Sequence, residues 1–260
     1  MNPSSADLLY MIQMWLDTRK LSQLGRMLRL PLRKVGNNYL VHSALAELFQ
    51  DQAPKPFCVE DKHRQINEYD DQNGRQIRTL CYSDLDSESL QKLAQGFASP
   101  TVYEIVDWDR IASKPMPDEY PDGMKLGFEL RACPVIRKAS DGPKWKEGQE
   151  VDAFLSRVWE VDDPDIDVDR EETYVKWLKR QFENRGGAKL IEANMKRFSL
   201  ERMSRRNHSP DRKVKMIKRP DVTLTGKLEV IDNDAFKQLL NKGIGRHKSF
   251  GYGMLKIRRA

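Results

Sequence analysis

The stretch Val222-Thr-Leu-Thr-Gly-Lys-Leu-Glu-Val230 decides the fold, because apolar residues and one glycine alternate along it with polar residues. Strict alternation of this length is typical of a β-strand with one buried face. A helix is expected next, because Asp232 and Asn233 are candidate N-caps. Its apolar face would consist of Phe236, Leu239 and Leu240. Strand and helix follow each other here without a long connection.

The same order of elements extends outward through the second half of the chain. Leu126, Phe128, Leu130 and Ala132 alternate with other residues and predict a strand. A helix is expected around residues 174–182, and the basic region 188–219 is expected to contain a strand with a long excursion. Residues 253–258 close the half as a strand. The predicted order of the second half is βαββαβ.

The first half of the chain fits the same order. Residues 8–17 are predicted to form a buried strand, and residues 56–62 and 76–83 a hairpin around the turn signal Asn73-Gly74. Residues 101–108 are predicted to be the fourth strand. Two helices are expected from apolar spacing, with the faces Val41, Leu45, Leu48, Phe49 and Leu90, Leu93, Ala94, Phe97.

A Pro-rich and acidic passage at residues 114–123 separates the two halves and is the best linker candidate. The sequence therefore predicts an α+β protein with two tandem ferredoxin-like domains, RRM-like βαββαβ modules at residues 1–118 and 119–260. In such a module two helices cover one face of a four-stranded antiparallel sheet. The other face is left for a ligand, as in RNA-recognition modules.

Charge is unevenly distributed along the 260 residues, which contain 45 Lys and Arg and 39 Asp and Glu. Residues 19–34 include six basic residues and no acid, and residues 186–219 include eleven basic residues and three acids. Between them, residues 160–172 carry eight acids and one base. One such run is usually a solvated surface. Two basic segments with a segregated acidic one favour a polyanionic partner.

Several classes of protein are disfavoured by composition. Three cysteines are too few for a disulfide framework, and no cluster of Asp, Glu, His or Cys has metal-ligand spacing. We therefore expect no metal and no cofactor. The apolar run near the start is too short for a membrane span and lacks the basic lead of a secretory signal. A cytoplasmic protein is expected.

A glycine-rich loop, Gly243-Ile-Gly245-Arg-His-Lys-Ser-Phe-Gly251-Tyr-Gly253, is expected to connect the last helix to the last strand. Four glycines allow close approach of the backbone to a ligand, and three consecutive basic residues bring charge. The pattern fits neither a P-loop nor a dinucleotide fingerprint. A tight connection with packing glycines is the alternative. We favour contact with phosphates through Gly243, Gly245, Arg246, His247, Lys248, Ser249, Gly251 and Gly253.

This loop resembles the glycine-rich signature of CRISPR repeat-processing endoribonucleases, most closely the CasE family of type I-E Cascade complexes. Tyr39-Leu-Val-His42-Ser-Ala-Leu-Ala-Glu-Leu-Phe49 and Leu126-Gly-Phe-Glu-Leu-Arg-Ala-Cys-Pro134 resemble two further segments of that family. The resemblance implies an endoribonuclease that cuts CRISPR precursor RNA within the repeat without metal. A 2′-hydroxyl would attack the adjacent phosphate and leave a cyclic phosphate and a 5′-hydroxyl. The resemblance also implies retention of the product hairpin and Cascade subunits as partners.

His42 and Tyr39 are the candidate catalytic residues. Three positions apart on a helix, they share one face, and an imidazole can exchange a proton near neutral pH. The alternative is that His42 packs as an ordinary helix residue. His247, between Arg246 and Lys248, is instead expected to contact RNA, and His63 and His208 are expected at the surface.

We expect four basic residues to contact the RNA backbone or to enter the major groove of the repeat hairpin: Lys213, Lys215, Lys218 and Arg219. Two other readings remain open. A non-catalytic RNA-binding scaffold would keep the basic segments but not need His42. An enzyme acting on a small molecule would use the glycine loop for a nucleotide.

Overall fold

The structure, a computed structural model, describes residues 8–33, 35–60, 76–161, 166–206 and 214–260. Side chains are described for these residues except 204–206 and 214–216. The chain divides into two compact units. The first unit draws on Met1–Asp118, Arg202–Ile217 and Lys248–Met254, and the second on Glu119–Glu201, Lys218–His247 and Leu255–Ala260.

The first unit contains a four-stranded antiparallel sheet with the strand order β2-β3-β1-β4. Its strands are β1 (Tyr10–Asp17), β2 (Phe57–Glu60), β3 (Gln76–Ser83) and β4 (Ala112–Pro115). Its helices are α1 (Thr18–Met27), α2 (Asn37–Phe49), α3 (Ser87–Phe97) and the short α4 (Pro100–Tyr103). With β1 in the centre beside β3, this is the strand order of a ferredoxin-like sheet.

Alternation along β1 sets which face of this sheet is covered. Ile12, Met14 and Leu16 are fully buried and pack in one core with the apolar face of α2, as predicted from the sequence. Val41 and Leu45 lie on that helix face. Burying these side chains stabilises the unit by about 1.5–3 kcal/mol for each large one.

The second unit repeats the arrangement with the strand order β10-β5-β9-β8. Its strands are β5 (Lys125–Ala132), β6 (Val135–Arg137), β7 (Glu150–Asp152), β8 (Ala188–Arg206), β9 (Val214–Val230) and β10 (Leu255–Arg259). Its helices are α5 (Ala153–Glu160), α6 (Arg170–Arg185) and α7 (Asn233–Lys242). β6 and β7 pair separately as a small two-stranded sheet.

The predicted fold is confirmed, because both sheets have the ferredoxin-like order. The alternating strand at residues 222–230 is the C-terminal part of β9, and Asp232 caps α7 by accepting from the backbone N–H of Ala235 at 2.7 Å. β2 and β3 pair as the predicted hairpin; its turn at Asn73-Gly74 lies outside the described residues. The division into domains at residues 118 and 119 stays a proposal. Residues 202–217 and 248–254 group with the first unit.

The predicted fourth strand at residues 101–108 is wrong. That segment contains α4, which begins with Pro100 at its first helical position, where proline is favoured. The buried residues Val102, Ile105 and Val106 are spaced by three and four, which suits helical turns better than a strand. The fourth strand is instead β4, which pairs with β1.

The basic segment 19–34 was not predicted to be helical, but its first part forms α1. Asp17 caps this helix, because its carboxylate accepts from the backbone N–H groups of Arg19 and Lys20 at 2.7 and 3.1 Å.

In the part of the chain that the structure describes, no helix is long and apolar enough to span a membrane.

Candidate active site

Tyr39 and His42 lie one turn apart on α2 and are both half-buried. Their ring centroids are 6.2 Å apart with the rings nearly perpendicular. The neighbouring residues Val41 and Leu45 are buried in the core of the first unit. The structure therefore brings the two predicted catalytic side chains together at the border of the buried face, with His42 outside the fully buried interior.

Phe250 of the glycine loop completes a cluster of three rings. Its ring is stacked on that of Tyr39 at a centroid distance of 5.7 Å and tilted against that of His42 at 5.2 Å. Residues 248–250 form a single 3-10 turn. All three rings belong to the first unit. Aromatic pairs at these separations contribute about 0.5–1.5 kcal/mol beyond burial, so Phe250 helps to hold the loop against α2.

Gly251 allows this close packing. Its φ of +81° lies in the left-handed region. A Cβ at this position would be 3.2 Å from the ring of Phe57 and 3.3 Å from Oδ1 of Asn38. The second half of the loop thus lies against β2 and the start of α2, and a side chain here would both strain the backbone and crowd its neighbours.

The environment of His42 favours its neutral form. Burial lowers the pKa of His42 below its ordinary value of 6.5, and the positive charge of Lys55 lowers it further. Lys55 is exposed and precedes β2. Near neutral pH the ring is therefore mostly unprotonated and able to accept a proton.

The first half of the loop belongs to the second unit and is bound to a buried carboxylate. The side chain of Glu150 on β7 is 8% exposed. Its Oε1 lies 2.5 Å from Nε of Arg246, and its Oε2 lies 3.0 Å from Nε2 of His247. Arg219 of β9 makes two hydrogen bonds to Glu150. Its Nη2 donates to the carboxylate of Glu150 at 3.2 Å, and its Nη1 donates to the backbone carbonyl of Glu150 at 3.1 Å. Glu150 thus ties the loop to β9.

The pKa values in this cluster follow from burial and from its charges. Burial would raise the pKa of Glu150, but His247, Arg246 and Arg219 together hold it below its ordinary value. Burial lowers the pKa of His247; Glu150 opposes this effect, while Arg219 adds to it. His247 therefore pairs with a carboxylate, a contact that its two basic neighbours in the sequence did not suggest.

The remaining predicted RNA-binding residues have different settings. Gly243, Gly245 and Gly253 have positive φ, and a Cβ at Gly245 would be 3.0 Å from the ring of Trp177. Lys248 and Ser249 are half-buried, and Lys218 is exposed on β9. Four other predicted residues fall outside what is described: Lys213, His63 and His208 altogether, and Lys215 for its side chain.

Three residues of these clusters were not predicted from the sequence: Phe250, Lys55 and Glu150. Phe250 had a signal, since it is the single large apolar residue between Gly245 and Gly251. Lys55 and Glu150 had none, because each is brought to its cluster by tertiary structure.

Among the described residues, no group of three or more His, Cys, Asp or Glu is placed to hold a metal ion.

Comparison with known proteins supplies a family for this arrangement. A family model described as CRISPR associated protein matches residues 9–259. The chain is 23% identical over 251 residues to the CRISPR-associated endoribonuclease Cse3 of Thermus thermophilus, covering 94% of this chain and 99% of that protein. These matches confirm the resemblance inferred from the motifs.

Solved structures are similar over nearly the whole chain. CRISPR endoribonuclease Cse3 bound to a 19-nucleotide RNA matches with a TM-score of 0.60 at 20% identity, covering 96% of this chain and 99% of that one. Cas6e from Escherichia coli K-12 matches with a TM-score of 0.52 at 18% identity, covering 96% and 100%. At these identities the likeness supports the tandem ferredoxin-like fold.

Proposed function

Because the chain belongs to the CRISPR-associated protein family, we propose that it is a metal-independent endoribonuclease that cleaves CRISPR precursor RNA within the repeat. The names of its relatives support the class of reaction, since Cse3 is described as an endoribonuclease and has been solved with RNA bound. The observation that carries the proposal is the half-buried imidazole of His42, next to Tyr39 and the glycine loop.

His42 is the proton acceptor in the proposed reaction. Its neutral ring takes the proton of a ribose 2′-hydroxyl, and the oxygen attacks the adjacent phosphorus. The bond from phosphorus to the 5′-oxygen breaks, which leaves a cyclic phosphate on one product. The departing 5′-oxygen takes a proton, which the hydroxyl of Tyr39 supplies, and becomes the 5′-hydroxyl of the other.

The negative charge that builds on the phosphate needs positive charge or N–H donors nearby. Lys55 supplies charge at this site, since it acts electrostatically on His42. Lys248 and the loop backbone around Gly251 lie in the same unit and are further candidates.

RNA binding is assigned to the residues predicted from the sequence. Lys213, Lys215, Lys218 and Arg219 would follow the RNA backbone or enter the major groove of the repeat hairpin. Gly243, Gly245, Arg246, His247, Ser249 and Gly253 would contact its phosphates. Arg219, Arg246 and His247 are already bound to Glu150, so a phosphate would share them with that carboxylate.

We further propose that the product hairpin is retained, that other Cascade subunits are partners, and that the reaction takes place in the cytoplasm.

The test is incubation of end-labelled repeat RNA with the purified protein in excess EDTA. We expect cutting at one position within the repeat, with a cyclic phosphate on the upstream product and a 5′-hydroxyl on the downstream one. A matched RNA with a single 2′-deoxynucleotide before the cut should bind equally and stay intact. Binding without cutting, with or without added Mg²⁺, would contradict the proposal and favour the scaffold.

A further inference from the structure

On the face of the first sheet opposite its core, the inner strand β1 carries an aromatic side chain. Trp15 alternates along β1 with the buried residues Met14 and Leu16, so its side chain leaves the sheet on the side opposite the core. It is half-buried, and its Cα partner on β3 is Arg78. β1 and β3 are the two inner strands of this sheet.

A guanidinium group lies over this ring. Cζ of Arg110 is 4.1 Å from the centroid of the Trp15 ring, a separation at which the two groups attract each other. The side chain of Arg110 is 41% exposed, and its Nη1 donates to Oε1 of Gln76 at 2.5 Å. Arg110 is therefore fixed in place while much of it still faces solvent.

Polar side chains surround the stacked pair on the same face. Arg78 donates to Oε1 of Gln13 and to Glu60, each at 2.8 Å. Gln76 connects Arg110 to Asp107. Its side-chain carbonyl accepts from Arg110, and its side-chain amide donates to Oδ2 of Asp107 at 3.0 Å. The rim thus combines two cations and the two carboxylates that pair with them with amide groups that can donate and accept hydrogen bonds, as the edges of nucleobases require.

We propose that this face binds an unpaired base of RNA, which stacks on the solvent-facing side of the Arg110 guanidinium above Trp15. The inference rests on the proposed function, because it takes RNA to be the substrate. RNA-recognition sheets bind single strands by stacking bases on aromatic side chains of their inner strands, and guanidinium planes stack on bases as well. Paired bases inside a hairpin stem cannot offer such a surface. The occupant is therefore a nucleotide of a single-stranded segment next to the hairpin.

The experiment compares three RNAs that carry the 2′-deoxy substitution and so stay intact: the repeat hairpin alone, and the hairpin with a single-stranded extension on its 5′ or its 3′ side. At least one extension should tighten binding to the unaltered protein about tenfold, a typical effect of stacking one base. Trp15→Leu should abolish this gain and leave the affinity for the hairpin alone unchanged. Trp15→Phe should keep most of it.

Trp145 provides a matched control in the second unit, since its ring also has a cation above it, Nζ of Lys138 at 3.8 Å. Trp145→Leu should keep the full gain. The inference is overturned if neither extension tightens binding, if Trp15→Leu and Trp145→Leu lose the gain equally, or if Trp15→Phe loses as much as Trp15→Leu. If an unsubstituted repeat hairpin is still bound and cut normally in any of these cases, the proposed function stands.

Discussion

Replacing Asp221 by alanine would remove the carboxylate that binds two arginines on the second sheet. Asp221 is fully buried on β9. Arg131 donates to both of its oxygens at 2.8 Å, and Arg197 donates to one of them at the same distance. These contacts join β5, β8 and β9 next to the last pair of the β5–β9 register, Ala132 with Val222.

The magnitude follows from how deeply each arginine is buried. The side chain of Arg131 is 12% exposed, so the substitution removes the carboxylate that offsets a buried charge, which costs about 3–5 kcal/mol. The side chain of Arg197 is 48% exposed, so its pair adds less than about 1 kcal/mol. We expect Asp221→Ala to lower the free energy of unfolding by about 3–5 kcal/mol in total.

Urea denaturation measures this loss, and Glu192→Ala is the matched control. Glu192 pairs with Lys227 at 3.1 Å, but both side chains are about half exposed, so its loss should be below about 1 kcal/mol. Adding Arg131→Met to Asp221→Ala should restore part of the stability, because the buried charge that Asp221 offset is then removed as well. Equal small losses for Asp221→Ala and Glu192→Ala would refute the reasoning.

Three more predictions concern the two clusters around the glycine loop. Lys55→Gln should raise the pKa of His42 toward 6.5, because it removes a positive charge that lowers this pKa. In single-turnover rate profiles, the pH at which cleavage is half-maximal should therefore move up. If this pH does not move, or moves down, the electrostatic role of Lys55 is contradicted. Gly251→Ala should lower the free energy of unfolding by about 1–2 kcal/mol in urea denaturation, because φ is +81° there, and an unchanged stability would contradict the packing described. Glu150→Gln should lower the pKa of His247 further in an NMR titration, since Glu150 raises it, and a rise would show that another group governs that ring.

Periodicity in the sequence was sufficient to predict most of the fold. Alternating residues identified β5 and the C-terminal part of β9, because each of these strands has one face on a core. A run rich in aliphatic and aromatic residues identified β1. The segment 101–108 was misread, because a short apolar run is compatible with both a strand and a helical turn. Only its pairing partners decide between them, and β1 pairs with β4 instead.

The candidate site could be predicted only where its residues share one element. Tyr39 and His42 are three positions apart on α2, so helix geometry alone places them together. Phe250 and Lys55 reach His42 from other segments of the chain, and Glu150 reaches His247 from the two-stranded sheet. Such contacts depend on tertiary packing, and of these three residues only Phe250 had a local signal, as the single large apolar residue between Gly245 and Gly251.

Replacement of His42 tests the central claim most directly. The measurement is the single-turnover rate constant for cleavage of saturating repeat RNA by His42→Ala, with the dissociation constant of the intact 2′-deoxy RNA measured alongside. Ser43→Ala is the matched control, since the Ser43 hydroxyl donates only within α2, to the carbonyl of Tyr39 at 3.0 Å. We predict a rate about 10²–10⁴ times lower for His42→Ala, with RNA affinity and the Ser43→Ala rate nearly unchanged. A His42→Ala rate as high as that of Ser43→Ala would contradict the assignment of His42 as the proton acceptor.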